Sequence, residues 1–131
     1  MFKIFLLFVS TLTLFLAIDA VWISVFGTKW YAQYLSHLTS GKVAIIPALL
    51  FYTIYIGGMI YFVIYPALHG TAPLSQVFLR GALLGFFAYS TYDLTNHVFM
   101  KNWPWFITIT DVLWWAFITG TVSTLIVKFF R

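Results

Sequence analysis

Cysteine is missing from all 131 residues, and acidic residues number only three. The first absence removes disulfides, thiolate metal sites and cysteine nucleophiles together, and it leaves the redox compartment unmarked. The second is part of a wider shortage. Charged residues make up 8% of the chain, too little polar surface to cover a water-soluble globule. The net charge of +4 comes from lysines and arginines near the ends of apolar runs, where they snorkel. It gives no reason to expect a nucleic-acid partner.

What is present is the complement of these absences. Hydrophobic residues make up 63% of the chain and aromatics 22%, with a mean hydropathy of +0.98. Four apolar runs, roughly 4–26, 43–68, 74–99 and 104–130, are each long enough to cross a hydrocarbon core of ~30 Å at ~1.5 Å per helical residue. The expected fold is an all-α membrane protein. Residues 1–131 form a single four-helix transmembrane domain whose first partner is the lipid bilayer. Lys3 followed by an apolar stretch imitates a signal peptide, but the run passes Asp19 and continues to Phe26. Ala17-Ile18-Asp19-Ala20 also puts an acid where a small-x-small cleavage site belongs. The run therefore reads as a retained span.

The breaks between runs carry turn chemistry. Pro66, Gly70 and Pro73 bracket the second connection, with Thr71 or Ser75 available to cap the third helix. Asn102 before Pro104 offers a cap to the fourth, with Pro in its first turn. Between the first two spans, Trp30, Tyr31, Tyr34, Leu35 and Leu38 recur at helical spacing, with Lys29, Gln33, Ser36 and His37 on the other side. That pattern predicts a short interfacial helix. With both termini cytoplasmic, Lys3, Arg80, Lys128 and Arg131 lie inside, and Lys29, Lys42 and Lys101 outside. Four against three favours termini inside and also permits insertion in both orientations.

All three acids, Asp19, Asp93 and Asp111, fall within predicted spans. Counted from the connections on the long-loop side, all three lie ~9–12 Å below the same membrane face. A charged Asp at a helix centre costs roughly 2.5–3.5 kcal/mol on insertion scales, so three at one depth call for partners, protons or water. On the third helix Tyr89, Asp93, Asn96 and His97 share a face, and on the fourth Thr108, Asp111, Trp114 and Trp115 do so. From the second helix Tyr52, Thr53 and Tyr55 reach a similar depth. A polar core in the outer half of the bundle follows.

Each feature also has a structural explanation. Asp19-x-x-Trp22 and Asp111-x-x-Trp114 place an indole donor one turn from a carboxylate, which can satisfy a buried acceptor and fasten helices. Asp93-x-x-x-His97 has the spacing of two metal ligands, but one such pair recurs by chance, and no metal is assigned. Trp30, Trp103 and Trp105 read as interfacial belt residues. Gly81-x-x-x-Gly85 offers a groove for close helix approach, with the Gly57-Gly58 region or another copy of the chain, as a homodimer, as its partner.

Taken together, Asp19 and Trp22 at the end of the first span, Tyr92, Asp93 and Asn96 in the third, and Asp111, Trp114 and Trp115 in the fourth resemble a family of small bacterial four-span membrane proteins. That family is catalogued as domain of unknown function 2177. The resemblance covers essentially the whole chain. It implies an inner-membrane protein and supplies no activity.

Two function classes compete. In the first, Asp19, Asp93, Asp111, Asn96, His97, Tyr89, Tyr52, Trp22 and Trp114 bind or pass a proton, cation or cationic solute, since crowded carboxylates resist simultaneous ionisation. In the second, Asp93, His97 and Asp111 are acid, base or hydrogen-bonding groups of a membrane-embedded enzyme or apolar-ligand-binding protein. Transport needs a route through the inner half. That half offers only scattered Ser10, Thr11, Thr13, Thr119, Thr121, Ser123 and Thr124. No nucleophile or cofactor motif marks an enzyme, so whether there is catalysis stays open and no cofactor is assigned. A helix-packing or regulatory protein requires neither.

Overall fold

The computed structural model describes residues 1–37 and 44–131, and every regular element among them is helical. Leu38, Lys42 and the start of the second run at Val43 lie outside the described residues. Phe2–Trp22 (α1) contains neither Gly nor Pro, so nothing interrupts its hydrogen-bond ladder. It does not end where the first span was expected to end. A π turn over Ile23–Gly27 carries it directly into Thr28–Leu35 (α2), because Ile23, Gly27 and Thr28 all keep right-handed helical dihedrals. The segment expected to form a separate interfacial helix is thus the distal end of a 34-residue helix, Phe2–Leu35. At ~1.5 Å per residue such a rod outruns a ~30 Å hydrocarbon core by several turns.

Ile45–Met59 (α3) continues through a second π turn, Ile60–Ile64, into Tyr65–Leu68 (α4). Pro66 there lacks an N–H, and its ring presses on the carbonyl one turn back. The wide turn immediately before it relieves that pressure. Leu74–Phe99 (α5) and Trp105–Phe130 (α6) close the chain. Neither takes the cap expected of it: Pro73 and Pro104 occupy the N-cap positions without a side-chain cap bond, and Ser75 is already inside α5. Asn102 instead turns the chain in the left-handed region, φ 59°, which asparagine tolerates better than most residues.

Three of these helical stretches, Phe2–Leu35, Ile45–Leu68 and Trp105–Phe130, are long and apolar enough to cross a membrane. α6 is the central one. It carries buried residues from Ile107 to Val127 around much of its circumference and touches α1, α2, α4 and α5. The core beside it is Phe15, Ile56, Met59, Ile64, Ile118 and Val122. Outward-facing Phe5, Ile54, Phe62, Phe87, Leu113 and Phe117 are more than half exposed, an apolar surface that suits lipid.

The most extensive helix contact, α5 on α6, depends on small residues. A Cβ on Gly85 would stand 2.2 Å from the Trp115 carbonyl oxygen, and one on Gly81 would stand 2.9 Å from Cα of Gly120. The Gly81/Gly85 groove therefore receives α6, and neither the Gly57-Gly58 region nor a second copy. Gly57 and Gly58 have nothing within 4 Å of an added Cβ.

Candidate functional site

Along the first helix the buried positions Leu7, Thr11, Phe15, Asp19, Gly27 and Leu35 fall at multiples of four residues, a single slowly turning stripe. Asp19 is the polar member of that stripe that faces α3 and α6. Its Oδ2 accepts a hydrogen bond from Tyr52 Oη at 2.5 Å and its Oδ1 one from Trp114 Nε1 at 2.9 Å. The sequence pairing of each tryptophan with the acid on its own helix is thus exchanged: Trp114 serves Asp19, and Trp22 stacks on Trp114 with ring centroids 4.4 Å apart and planes at 9°. The bond crosses between helices because the indole, one turn below Asp111 on α6, reaches a carboxylate on the neighbouring helix.

Asp111 is held from above. Tyr31 of α2 donates from Oη to Asp111 Oδ1 at 2.8 Å. Trp30 meets Phe106 edge-on and Tyr34 stacks on it, fixing α2 along the first turns of α6. Tyr31 was not singled out as a site residue. Its signal was the stripe itself, since Asp19, Ile23, Gly27 and Tyr31 are spaced by four. It was hidden by treating Gly27 as the end of a helix.

Asp93 on α5 is fully buried. Neither of its oxygens has an N–H or O–H donor among the described residues. The Asp111 carboxyl is the charged group nearest in effect to it. Asp93 thus neighbours Asp111, while Asp19 is held apart from them by its own donors, Tyr52 and Trp114. No lysine or arginine of the described residues acts on Asp93 or Asp111.

Other expected members fall outside this contact. His97 Nε2 lies 2.8 Å from Thr108 Oγ1, and its ring stacks on Trp105 at 3.9 Å. It fastens the C-terminal end of α5 to the N-terminal end of α6 and pairs with no carboxylate. Asn96 is half-buried, its Nδ2 without a partner among the described residues. Thr53 faces outward, while Tyr55 turns in to Thr119, Oη to Oγ1 at 2.6 Å. Trp103 Nε1 is buried without an acceptor among the described residues. Among the described residues no three His, Cys, Asp or Glu side chains are placed to hold a metal ion.

Between these groups lies a cleft of about 190 Å³. Asp19, Tyr31 and Tyr52 supply its polar lining, and Trp22, Ile23, Phe51, Tyr89 and Trp115 its walls. Trp115 is the hub: it stacks on Tyr89 at 4.0 Å and 13° and packs against Phe15, Phe51 and Tyr55. The rim is formed by Ile23, 38% exposed, and Phe51, 40% exposed. Chemically this is an acidic floor, hydroxyl donors already committed to the acids, and aromatic walls.

No protein of curated function and no solved structure matches the chain. A family model described as "Predicted membrane protein (DUF2177)" matches residues 4–127, and the chain belongs to that family of membrane proteins.

Proposed function

We propose that the chain is a four-span bundle in a bacterial cytoplasmic membrane, with both termini cytoplasmic, whose carboxylate layer binds a proton, a metal cation or a small cationic solute from the outer side. Asp93 is the observation that carries this reading. A fully buried carboxyl set against a second carboxyl, with no donor and no basic partner among the described residues, can persist only if a proton or a cation neutralises the pair. A helix fastener would show the opposite: acids saturated by donors. Asp19, bonded by Tyr52 and Trp114, keeps its carboxylate in the lining of the cleft and adds a third acid to the layer.

α5 serves as the fourth span in this reading. Its 26 residues suffice for a ~30 Å core. Its polar Asp93 turns inward while Phe86, Phe87, Leu94 and Val98 face out. α2 then projects at the outer surface beside the acidic layer. Binding is favoured over passage, because the half of the bundle below Trp115 is filled by Ile56, Met59, Ile118 and Val122, and Thr11 and Thr119 are already hydrogen-bonded within it. The aromatic walls also suit an uncharged apolar ligand, the reading that competes.

The test is a panel of protons, monovalent and divalent cations and a cationic dye applied to the protein in reconstituted vesicles. Wild type is compared with Asp19→Asn, Asp93→Asn and Asp111→Asn, and the melting of each is measured in parallel. Loss of cation binding in at least one variant that melts like wild type is the expected result. Variants that all bind like wild type, or fail only by unfolding, make the layer structural.

A further inference from the structure

Eight residues line the cleft, and six of them are aromatic: Trp22, Tyr31, Phe51, Tyr52, Tyr89 and Trp115. The one ionisable acid among them is Asp19, 3% exposed. Inorganic cations do not favour such a lining. Mg²⁺ and Ca²⁺ ask for about six to eight oxygen ligands, whereas here the Asp19 oxygens are already engaged by Tyr52 and Trp114, and the Tyr31 hydroxyl by Asp111. Aromatic rings attract cations through their negative faces, and they do so best when the cation is poorly hydrated and already wrapped in alkyl groups.

Size narrows the class further. At about 190 Å³ the cleft holds the volume of roughly six waters at ~30 Å³ each and falls well short of the ~300–1,000 Å³ typical of drug-sized ligands. A charged head of a few heavy atoms fits, and a large dye does not. The exposed rim at Ile23 and Phe51 gives entry from the side of the bundle. Phe51 and Tyr89 also line an adjoining hollow of about 270 Å³ with Tyr92, which has room for a substituent on the head.

We propose that this cleft is a binding site for a small alkylated ammonium ion, its positive centre set over the Asp19 carboxylate and boxed by the six aromatic side chains. The proposal rests on the cation-binding reading above and names its ligand class. Trp22 and Trp115 sit in the wall, so occupancy changes indole emission directly.

The experiment titrates the full chain in lipid nanodiscs with tetramethylammonium and choline chloride, following tryptophan fluorescence and calorimetric heat. Sodium, potassium and the uncharged tert-butyl isostere of choline are run alongside. Saturable binding of both ammonium ions is expected, with no competition from the other three probes. Phe51→Ala, at a rim position 40% exposed, should weaken binding about tenfold, and Asp19→Asn should abolish it. Unchanged affinity in Phe51→Ala overturns the aromatic box. Equal competition by sodium or potassium overturns the ligand class and leaves the cation reading standing. Equal binding of the uncharged isostere replaces it with an apolar-ligand site. If neither ammonium ion binds, this proposal falls, and if the panel of protons and metal cations above is silent as well, both readings fall.

Discussion

Replacing Gly85 by alanine adds a single methyl group at the tightest point of the α5–α6 seam. The new Cβ would lie 2.2 Å from the Trp115 carbonyl oxygen, 2.7 Å from its carbon and 2.9 Å from the Ala116 nitrogen. All three are backbone atoms of a central helix, so no side chain can swing aside. Restoring ordinary contact requires the helices to part by about 1 Å, a gap that forfeits a quarter to a half of the dispersion attraction across the seam. Overpacking of this kind costs ~1–3 kcal/mol, with rigid backbone at the upper end. Alanine returns up to ~1 kcal/mol through its helix propensity, so the net loss should be about 2–3 kcal/mol once the lost seam contacts are included. The damage should also reach the cleft, because Tyr89, one turn along α5, stacks on Trp115 at 4.0 Å across the same seam. The assay is reversible unfolding in mixed micelles followed by tryptophan fluorescence. Gly57→Ala serves as the control, where nothing lies within 4 Å of the added atom and the change should be neutral or stabilising by up to ~1 kcal/mol. If Gly85→Ala falls within ~0.5 kcal/mol of that control, α5 and α6 do not approach as closely as described.

Tyr31→Phe keeps the ring but removes the donor to Asp111 Oδ1. Thermal melting should show a loss of about 1–3 kcal/mol, the penalty of an acceptor left short in a buried site. Asp93→Asn supplies a donor where neither oxygen had one, so it should melt at or above wild type while parallel titrations show impaired cation binding. His97→Ala gives up the Thr108 bond and the Trp105 stack. It should lower stability modestly with cation affinity unchanged, since the ring pairs with no carboxylate. Labelling of Ser36→Cys should occur from the outer side and labelling of cysteines at the termini from the cytoplasmic side; modification of Ser36→Cys from the cytoplasm alone reverses the orientation.

Much of this protein was legible in the residue order. The shortage of charge and the apolar runs determine its solvent, and the second, third and fourth runs became Ile45–Leu68, Leu74–Phe99 and Trp105–Phe130 almost to the residue. The common depth expected of Asp19, Asp93 and Asp111 rests on the same kind of reading. Position along a helix axis is a one-dimensional quantity, fixed by rise per residue from the nearest turn. Partnership was not legible. Trp114 bonds Asp19 instead of its own helix's Asp111, His97 turns to Thr108, and Gly85 receives Trp115's backbone instead of the Gly57-Gly58 region. Each of these depends on the azimuth and crossing of several helices at once, which no spacing within one helix encodes. The π turn over Ile23–Gly27 is the clearest case. A glycine after an apolar run reads equally well as a stop or as a continuation. In the tertiary structure it is a continuation, with Trp30 and Tyr34 packed on Phe106 and Tyr31 brought to Asp111.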